Sequence, residues 1–331
     1  MRILLACAIP ALVTACASTA ADGGTEAILL ERGGFPAIST SLPRVLVVVA
    51  HPDDELAATG ALYVHGARMG GVCDVLTITD GQGGFKYATF AEALYGVELT
   101  REDVGRDALP EIRREEQRRS LELLGARMLV RLGQRDHRYT RDRFEVLAED
   151  AGIWDLDAVR ASLDERLATE GYDFVIALAP TPETHGHHQA ATLLALEAVE
   201  KLPASERPVA LCCEVEVLGE AGVGEPPAVL EDAPLAALRP GTGPFVIDRT
   251  RPFGHRDRLT LRSIADVAIA QHLSQGTMLG LIGRGDLEEY WMFEVSPADA
   301  AARCSAWFDT LQDPRFPTRA YDDSAGINAS R

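Results

Sequence analysis

The sequence predicts an α/β fold: a Rossmann-like three-layer sandwich, single domain, whose mostly parallel sheet is covered by helices on both faces. Two observations carry this. From residue 43 onward, short and continuously apolar runs alternate with segments of helical period, and strands that are apolar on both faces belong to parallel sheets buried between helix layers. Two of those runs also end in clusters of His, Asp and Glu, at the carboxyl ends of strands where open α/β sheets gather their ligands.

In chain order, residues 45–50 read as a strand, 56–69 as a helix and 73–79 as a strand. A helix over 110–124 and a strand at 128–132 follow, then a helix over 158–170 and a strand at 173–179. Past His188 a helix is expected to run to residue 202, and 209–217 is again an apolar strand. Residues 219–243 are rich in Pro, Gly, Ala and Glu and read as a long loop. The last part holds a short strand at 245–247, a helix over 259–273 and an apolar piece at 290–295. The sequence shows no repeat, and one domain with peripheral additions fits it better than two.

With 331 residues, 47% of them hydrophobic and 25% charged, the composition is that of a globular chain long enough to bury a full core. A formal net charge of -18 leaves no basic stripe for phosphates, which argues against nucleic acid as a partner.

Met1 and Arg2 precede an apolar run over 3–13, small residues and Cys16, the layout of an export signal and too short to span a bilayer. Val13-Thr14-Ala15-Cys16 resembles the bacterial lipobox, so residues 1–15 are expected to be removed and Cys16 to carry lipid. That places the protein in the cell envelope, on the periplasmic face, with membrane contact through the lipid alone. The alternative is a plain signal cut near Ala20 and a secreted soluble protein. Residues 16–42 then read as a flexible tether, 43–311 as the domain and 312–331 as a tail. Cys73, Cys212, Cys213 and Cys304 show neither a disulfide framework nor a metal knuckle, and no chemistry is assigned to them.

The first strand runs into His51-Pro52-Asp53-Asp54-Glu55. Imidazole nitrogen with carboxylate oxygen suits a borderline divalent ion such as zinc. Adjacent carboxylates on an extended loop diverge, so one can ligate while the other faces the open coordination position and takes a proton from water. Taken alone, the segment reads as well as a helix cap. That reading weakens at residue 179, where another strand leads into Pro182-Glu183-Thr184-His185-Gly186-His187-His188, with three of the eight histidines in four positions. His185 and His188 can present both rings to one cavity.

With both clusters in place, the sequence resembles the LmbE-like or PIG-L family of N-acetylglucosaminyl deacetylases. Ala50 to Glu55 spell A-H-P-D-D-E, and His185 to His188 the H-x-x-H; Thr79-Asp80-Gly81 follow the second strand. Arg113 and Glu116 lie on a helix before Gly125, and His272-Leu273-Ser274-Gln275 is similar to the family's H-x-S-Q. The ordered set, spread over roughly residues 43–295, is more specific than any single motif. The resemblance implies that His51, Asp54 and His188 ligate the ion, zinc or another divalent transition metal, and leave a position open for water. It implies Asp53 as general base and His185 as the group that polarises the amide carbonyl or stabilises the oxyanion.

Arg113 is then expected to steady the substrate, and Asp80, with Gly81, Gly83 and Gly84, to edge the pocket. His272 reads as a packing anchor on a helix. Asp136 and His137 lie just past another strand end, where spacing alone does not decide whether they border the cavity, and Phe85, Tyr87, Phe90 and Tyr95 read equally as a lid for a sugar ring or as residues that pack that loop down. One departure stands out: where many members carry an acidic residue before the second histidine of H-x-x-H, this chain has His187, so the group that orients His185 is not evident.

The function these readings support is metal-dependent hydrolysis of N-acyl amides, with an N-acetylated sugar or glycoconjugate as substrate. The rival from another class is a non-catalytic envelope lipoprotein that binds a saccharide or scaffolds a partner. A dinucleotide-dependent oxidoreductase is disfavoured, because the first strand lacks G-x-G-x-x-G and supplies carboxylates where a pyrophosphate would sit.

Overall fold

Val45, Val47 and Val49 pack into one apolar core while Leu46, Val48 and Ala50 pack into another, so a single uninterrupted run serves two faces of a sheet. In the computed structural model, which describes residues 25–27, 36 and 38–312, the strands are β1 (Thr25–Ala27), β2 (Arg44–Val49), β3 (Val72–Thr79), β4 (Met128–Gln134), β5 (Phe174–Leu178), β6 (Val209–Glu216), β7 (Phe245–Asp248), β8 (Pro252–Phe253), β9 (Leu259–Thr260) and β10 (Leu287–Met292). The helices are α1 (Thr59–Leu62), α2 (Thr89–Tyr95), α3 (Glu102–Leu124), α4 (Phe144–Leu147), α5 (Leu156–Thr169), α6 (Gly186–Lys201), α7 (Leu261–Ile269), α8 (Gly276–Leu279) and α9 (Ala300–Leu311).

Eight strands form one sheet in the order β1-β4-β3-β2-β5-β6-β10-β7. The five strands from β4 to β6 pair in parallel, whereas β1, β10 and β7 add antiparallel at the edges. The mostly parallel α/β sandwich expected from the sequence is therefore present. One face is covered by α5 and α6, through Val159, Leu163, Ala191 and Leu194. The other is covered by α1, the end of α3, α7 and α9, through Leu62, Leu121, Ala268 and Trp307. Each fully buried Leu or Val contributes about 1.5–3 kcal/mol relative to exposure.

Chain order reverses between β2 and β5, which makes their carboxyl ends the topological switch point of the sheet. Both His-containing clusters follow these two strands.

Several elements differ from the sequence reading. The helix expected over 56–69 is a composite, with a 3₁₀ turn at Asp54–Ala58, α1, and a π turn at Tyr63–Arg68. Helix α3 begins at Glu102 and carries Pro110 in its interior; acidic residues at its start and the burial of Gly105 and Leu109 offset the missing rung. The final apolar piece is strand β10, shifted to 287–292 and antiparallel. Helix α7 ends at Ile269, so His272 lies beyond it in a turn. Thr25–Ala27, within the segment read as a tether, pairs with β4.

Residues 219–243 contain a 3₁₀ turn at Pro234–Ala236, and Leu235 and Leu238 cover Cys212, Trp291 and Phe293. Among the described residues no helix is long and apolar enough to cross a membrane. The signal segment and Cys16 lie outside the described residues.

Candidate metal centre and active-site cleft

Backbone strain marks the start of the site. Asp53 sits at φ 124° and ψ -19°, a region that costs an L-residue about 1–3 kcal/mol and persists only where the surroundings impose it. Its N–H donates to Glu55 Oε2 at 3.0 Å and its carbonyl accepts the Leu56 N–H at 3.1 Å. Past this reversal the Asp54 carboxylate folds back, accepting the backbone N–H of His51 at 2.7 Å.

Three donors expected to ligate the ion converge there. His51 Nδ1 stands 3.1 Å from His188 Nε2 and 3.3 Å from Asp54 Oδ2, and His188 Nε2 stands 3.2 Å from Asp54 Oδ1. A tetrahedral ion with bonds of 2.0–2.2 Å sets its donors about 3.3–3.6 Å apart, so the triangle is close to the size such an ion requires. The donor chemistry, two imidazoles and one carboxylate, also fits. Thr184 Oγ1 lies 3.0 Å from His188 Nδ1; if that nitrogen donates to the hydroxyl, the Nε2 lone pair is left facing the cluster.

His185 is close enough to offer a nitrogen to the same group, but both its nitrogens are engaged. Nδ1 accepts the backbone N–H of His187 at 3.2 Å, capping α6, and Nε2 lies 3.2 Å from the Arg138 carbonyl, to which it donates. His185 can donate to an oxyanion only by releasing that carbonyl.

The electrostatics separate the two aspartates. Burial opposes charge on Asp54, yet His188 and His51 hold its carboxyl well below the usual range. Burial and the neighbouring Asp54 push Asp53 up to about 6, with Arg113, His272 and His51 pulling the other way. His51, despite burial, is raised to about 9 by Asp54, Asp136 and Asp53. Burial lowers His185 to about 4, so it is a neutral ring near pH 7.

Arg113 is 1% exposed, and its Nε and Nη2 have no hydrogen-bond partner. Gly81 and Gly84 make room for it: a Cβ at either position would stand 2.5 or 2.3 Å from its terminal nitrogens. Asp80 is held elsewhere. Its carboxylate pairs with Arg131 at 2.6 Å, which ties the loop after β3 to β4. Behind Asp53, Glu55 accepts from Gln117 Nε2 at 3.0 Å and lies 3.0 Å from His272 Nε2, while Glu116 accepts from the Ser274 hydroxyl at 2.6 Å. His272 is thus a buried anchor, as expected.

From Asp53 and Asp54 a cleft of ≈ 690 Å³ opens toward the end of β6, walled by Thr184, Glu214, Glu216, Arg249, Met278 and Arg284. That volume is within the range of small-molecule sites. Tyr139, 69% exposed, lays its ring 4.9 Å from that of His185, an aromatic beside the histidine cluster that the sequence reading passed over. Of the expected lid, Phe85 is buried and Tyr95 donates to Glu116, while Tyr87 and Phe90 are exposed. The reading also missed Glu288, which accepts the Ala61 N–H at 3.1 Å and pairs with Arg249 at 2.7 Å, both side chains buried. No local motif marks that pair, because its members meet only through the antiparallel edge of the sheet.

Residues 46–199 match the family described as PIG-L, GlcNAc-PI de-N-acetylase. The chain carries a PIG-L family domain. A curated relative, the probable N-acetyl-alpha-D-glucosaminyl L-malate deacetylase 2 of Bacillus cereus, is 26% identical over 227 residues, covering 66% of this chain and 92% of the relative. Among solved structures, N,N'-diacetylchitobiose deacetylase from Pyrococcus horikoshii aligns at 27% identity and a TM-score of 0.35, over 47% of this chain and 49% of that one. The chain thus spans about half the length of that structure. GalB, the 4-carboxy-2-hydroxymuconate hydratase of Pseudomonas putida KT2440, aligns at 16% identity and a TM-score of 0.47, over 76% of this chain and 95% of that one.

Proposed function

We propose that this PIG-L protein is a zinc-dependent hydrolase that removes the acetyl group from an N-acetylglucosamine-type sugar conjugate. The observation that carries the reading is the triangle of His51 Nδ1, Asp54 and His188 Nε2, with edges of 3.1–3.3 Å, beside a strained and buried Asp53 at the mouth of a cleft. His51, Asp54 and His188 hold the ion, which when bound supplies Lewis acidity toward a water and the amide oxygen.

Asp53 takes the proton of the attacking water. A carboxyl raised to about 6 is still largely ionised at neutral pH and is a stronger base than an ordinary aspartate. Held by Glu55 and its own backbone geometry, the protonated carboxyl then returns that proton to the leaving amine. Arg113, with two unpartnered nitrogens, steadies the substrate oxygens and the Asp53 carboxylate. His185 joins the oxyanion when its Nε2–H exchanges the Arg138 carbonyl for it. Tyr139, exposed beside His185, offers an apolar face to a sugar ring.

The experiment is amine release from a panel of N-acetylglucosamine conjugates, with and without chelator, comparing wild type with Asp53→Ala. Loss of turnover on chelation, its return with zinc, and an Asp53→Ala protein that binds zinc but does not turn over are expected. An ion-loaded wild type that binds these saccharides without amine release would instead make it a binding protein.

We further propose an exported lipoprotein anchored through Cys16, supported by the apolar run over 3–13 and Val13-Thr14-Ala15-Cys16. Fatty-acid labelling that is lost in Cys16→Ser is expected, and an unlabelled mature chain beginning near Ala21 would refute it.

A further inference from the structure

Behind His51 a line of side chains leads away from the candidate ion site to the edge of the fold. His51 Nε2 lies 3.1 Å from His187 Nδ1, His187 Nε2 lies 3.1 Å from His137 Nδ1, and His137 Nε2 lies 2.8 Å from Glu145 Oε2. His187 is fully buried. Arg138 grips both oxygens of Glu145, at 3.0 and 2.7 Å, which fixes that carboxylate and keeps it an acceptor. Asp136 is the nearest other acid, but its oxygen is 3.6 Å from His187 Nδ1 and 3.9 Å from His51 Nε2, beyond hydrogen-bond reach.

A carboxylate can only accept, so it sets the direction of the whole line. His137 must donate from Nε2 and, as a neutral ring, accept at Nδ1; His187 must then donate from Nε2 and accept at Nδ1. His51 is left to donate from Nε2, which frees its Nδ1 lone pair toward Asp54 and His188. Run the other way, the line would put a proton on His51 Nδ1 and close that donor to an ion. Outer hydrogen-bond partners of this kind both orient a ligating imidazole and raise its basicity.

We infer that His187, His137 and Glu145 are positioning residues that select the His51 tautomer able to ligate, so that a carboxylate two rings away tunes ion affinity. The inference rests on the reading of His51 as a ligand in the proposed site.

The test measures the zinc dissociation constant of the full chain by chelator competition. Glu145→Gln and His137→Phe are each expected to weaken binding about 10-fold. The deciding comparison uses a His187→Asp background. An aspartate oxygen is as many bonds from the backbone as His187 Nδ1, so it accepts from His51 directly and disconnects the outer members; there Glu145→Gln is expected to change affinity less than about 2-fold. Equal losses in both backgrounds, or unchanged affinity in the first, would overturn the relay. Imidazole ¹⁵N spectra of the zinc-loaded wild type give a second reading that no variant's folding can obscure: His137 and His187 should be Nε2–H tautomers, and Nδ1–H on either ring overturns the inference. A wild type that takes up no zinc would remove the metal centre and the relay together, whereas normal uptake with indifferent variants removes the relay alone.

Discussion

Glu55 holds Asp53 in place: its Oε2 accepts the Asp53 N–H at 3.0 Å while its Oε1 lies 3.0 Å from His272 Nε2. One buried carboxylate thus satisfies a strained backbone donor, an imidazole and the Gln117 amide. Glu55→Ala leaves the Asp53 N–H and His272 Nε2 unpaired in the core, while the Gln117 amide keeps Thr77 Oγ1 at 2.9 Å; the loss should be about 3–5 kcal/mol, measured by denaturant unfolding. Glu55→Gln, which keeps an acceptor for the Asp53 N–H, should cost less. Equal losses for the two variants would show that the carboxylate does not restrain Asp53.

The strain at Asp53 can be isolated by comparing two substitutions that both remove the base. Glycine tolerates a φ of 124° and alanine does not. Asp53→Gly should therefore be more stable than Asp53→Ala by about 1–2 kcal/mol, the reverse of the usual ranking, with both proteins inactive. If alanine is the more stable of the two, the backbone at this residue is not under strain.

Ion binding should register as stability. Zinc at a hundredfold over its dissociation constant adds about 2.7 kcal/mol to the folded state, so the midpoint of thermal unfolding should rise with zinc and fall with chelator. His188→Ala should lose that response, because it removes one corner of the donor triangle. A response that survives in His188→Ala would place the ion elsewhere.

On the cleft wall, burial together with Glu216 and Glu289 pushes the Glu214 carboxyl up to about 7. A carboxyl raised on folding supports the fold fully below its unfolded value, near 4.5, and that support is lost as pH rises through 7. Glu214→Gln should therefore raise the unfolding midpoint at pH 8, on the order of 2–4 °C, and leave it unchanged at pH 4. A variant with no effect at pH 8 would indicate that water reaches this wall.

The sheet is legible because its strands are apolar on both faces, and the convergence of the candidate ion-site residues because they sit in two short clusters at strand ends. What escaped depends on distance along the chain. Arg249 and Glu288 meet only once β10 has inserted beside β6 and β7. Glu145 reaches His137 only when α4 packs beside the loop after β4. Asp80 was read as a pocket residue from its place after a strand, whereas Arg131, brought alongside by parallel pairing of β3 and β4, engages it. The helix expected through His272 stops early because α7 ends at Ile269, and the chain then turns to bring Ser274 to Glu116.

The three candidate ligands come from the segments that follow β2 and β5, neighbours in the sheet, with His188 in the first turn of α6, while much of the cleft wall comes from β6, α8 and the segment around Arg284. Under the proposed function, the ion and much of the substrate wall would thus be carried by separate stretches of chain. Exchanges at Val215, Val217 or Met278 can reshape what the cleft admits without touching His51, Asp54 or His188, so the shape of the cavity can be altered while the candidate ion site stays as it is.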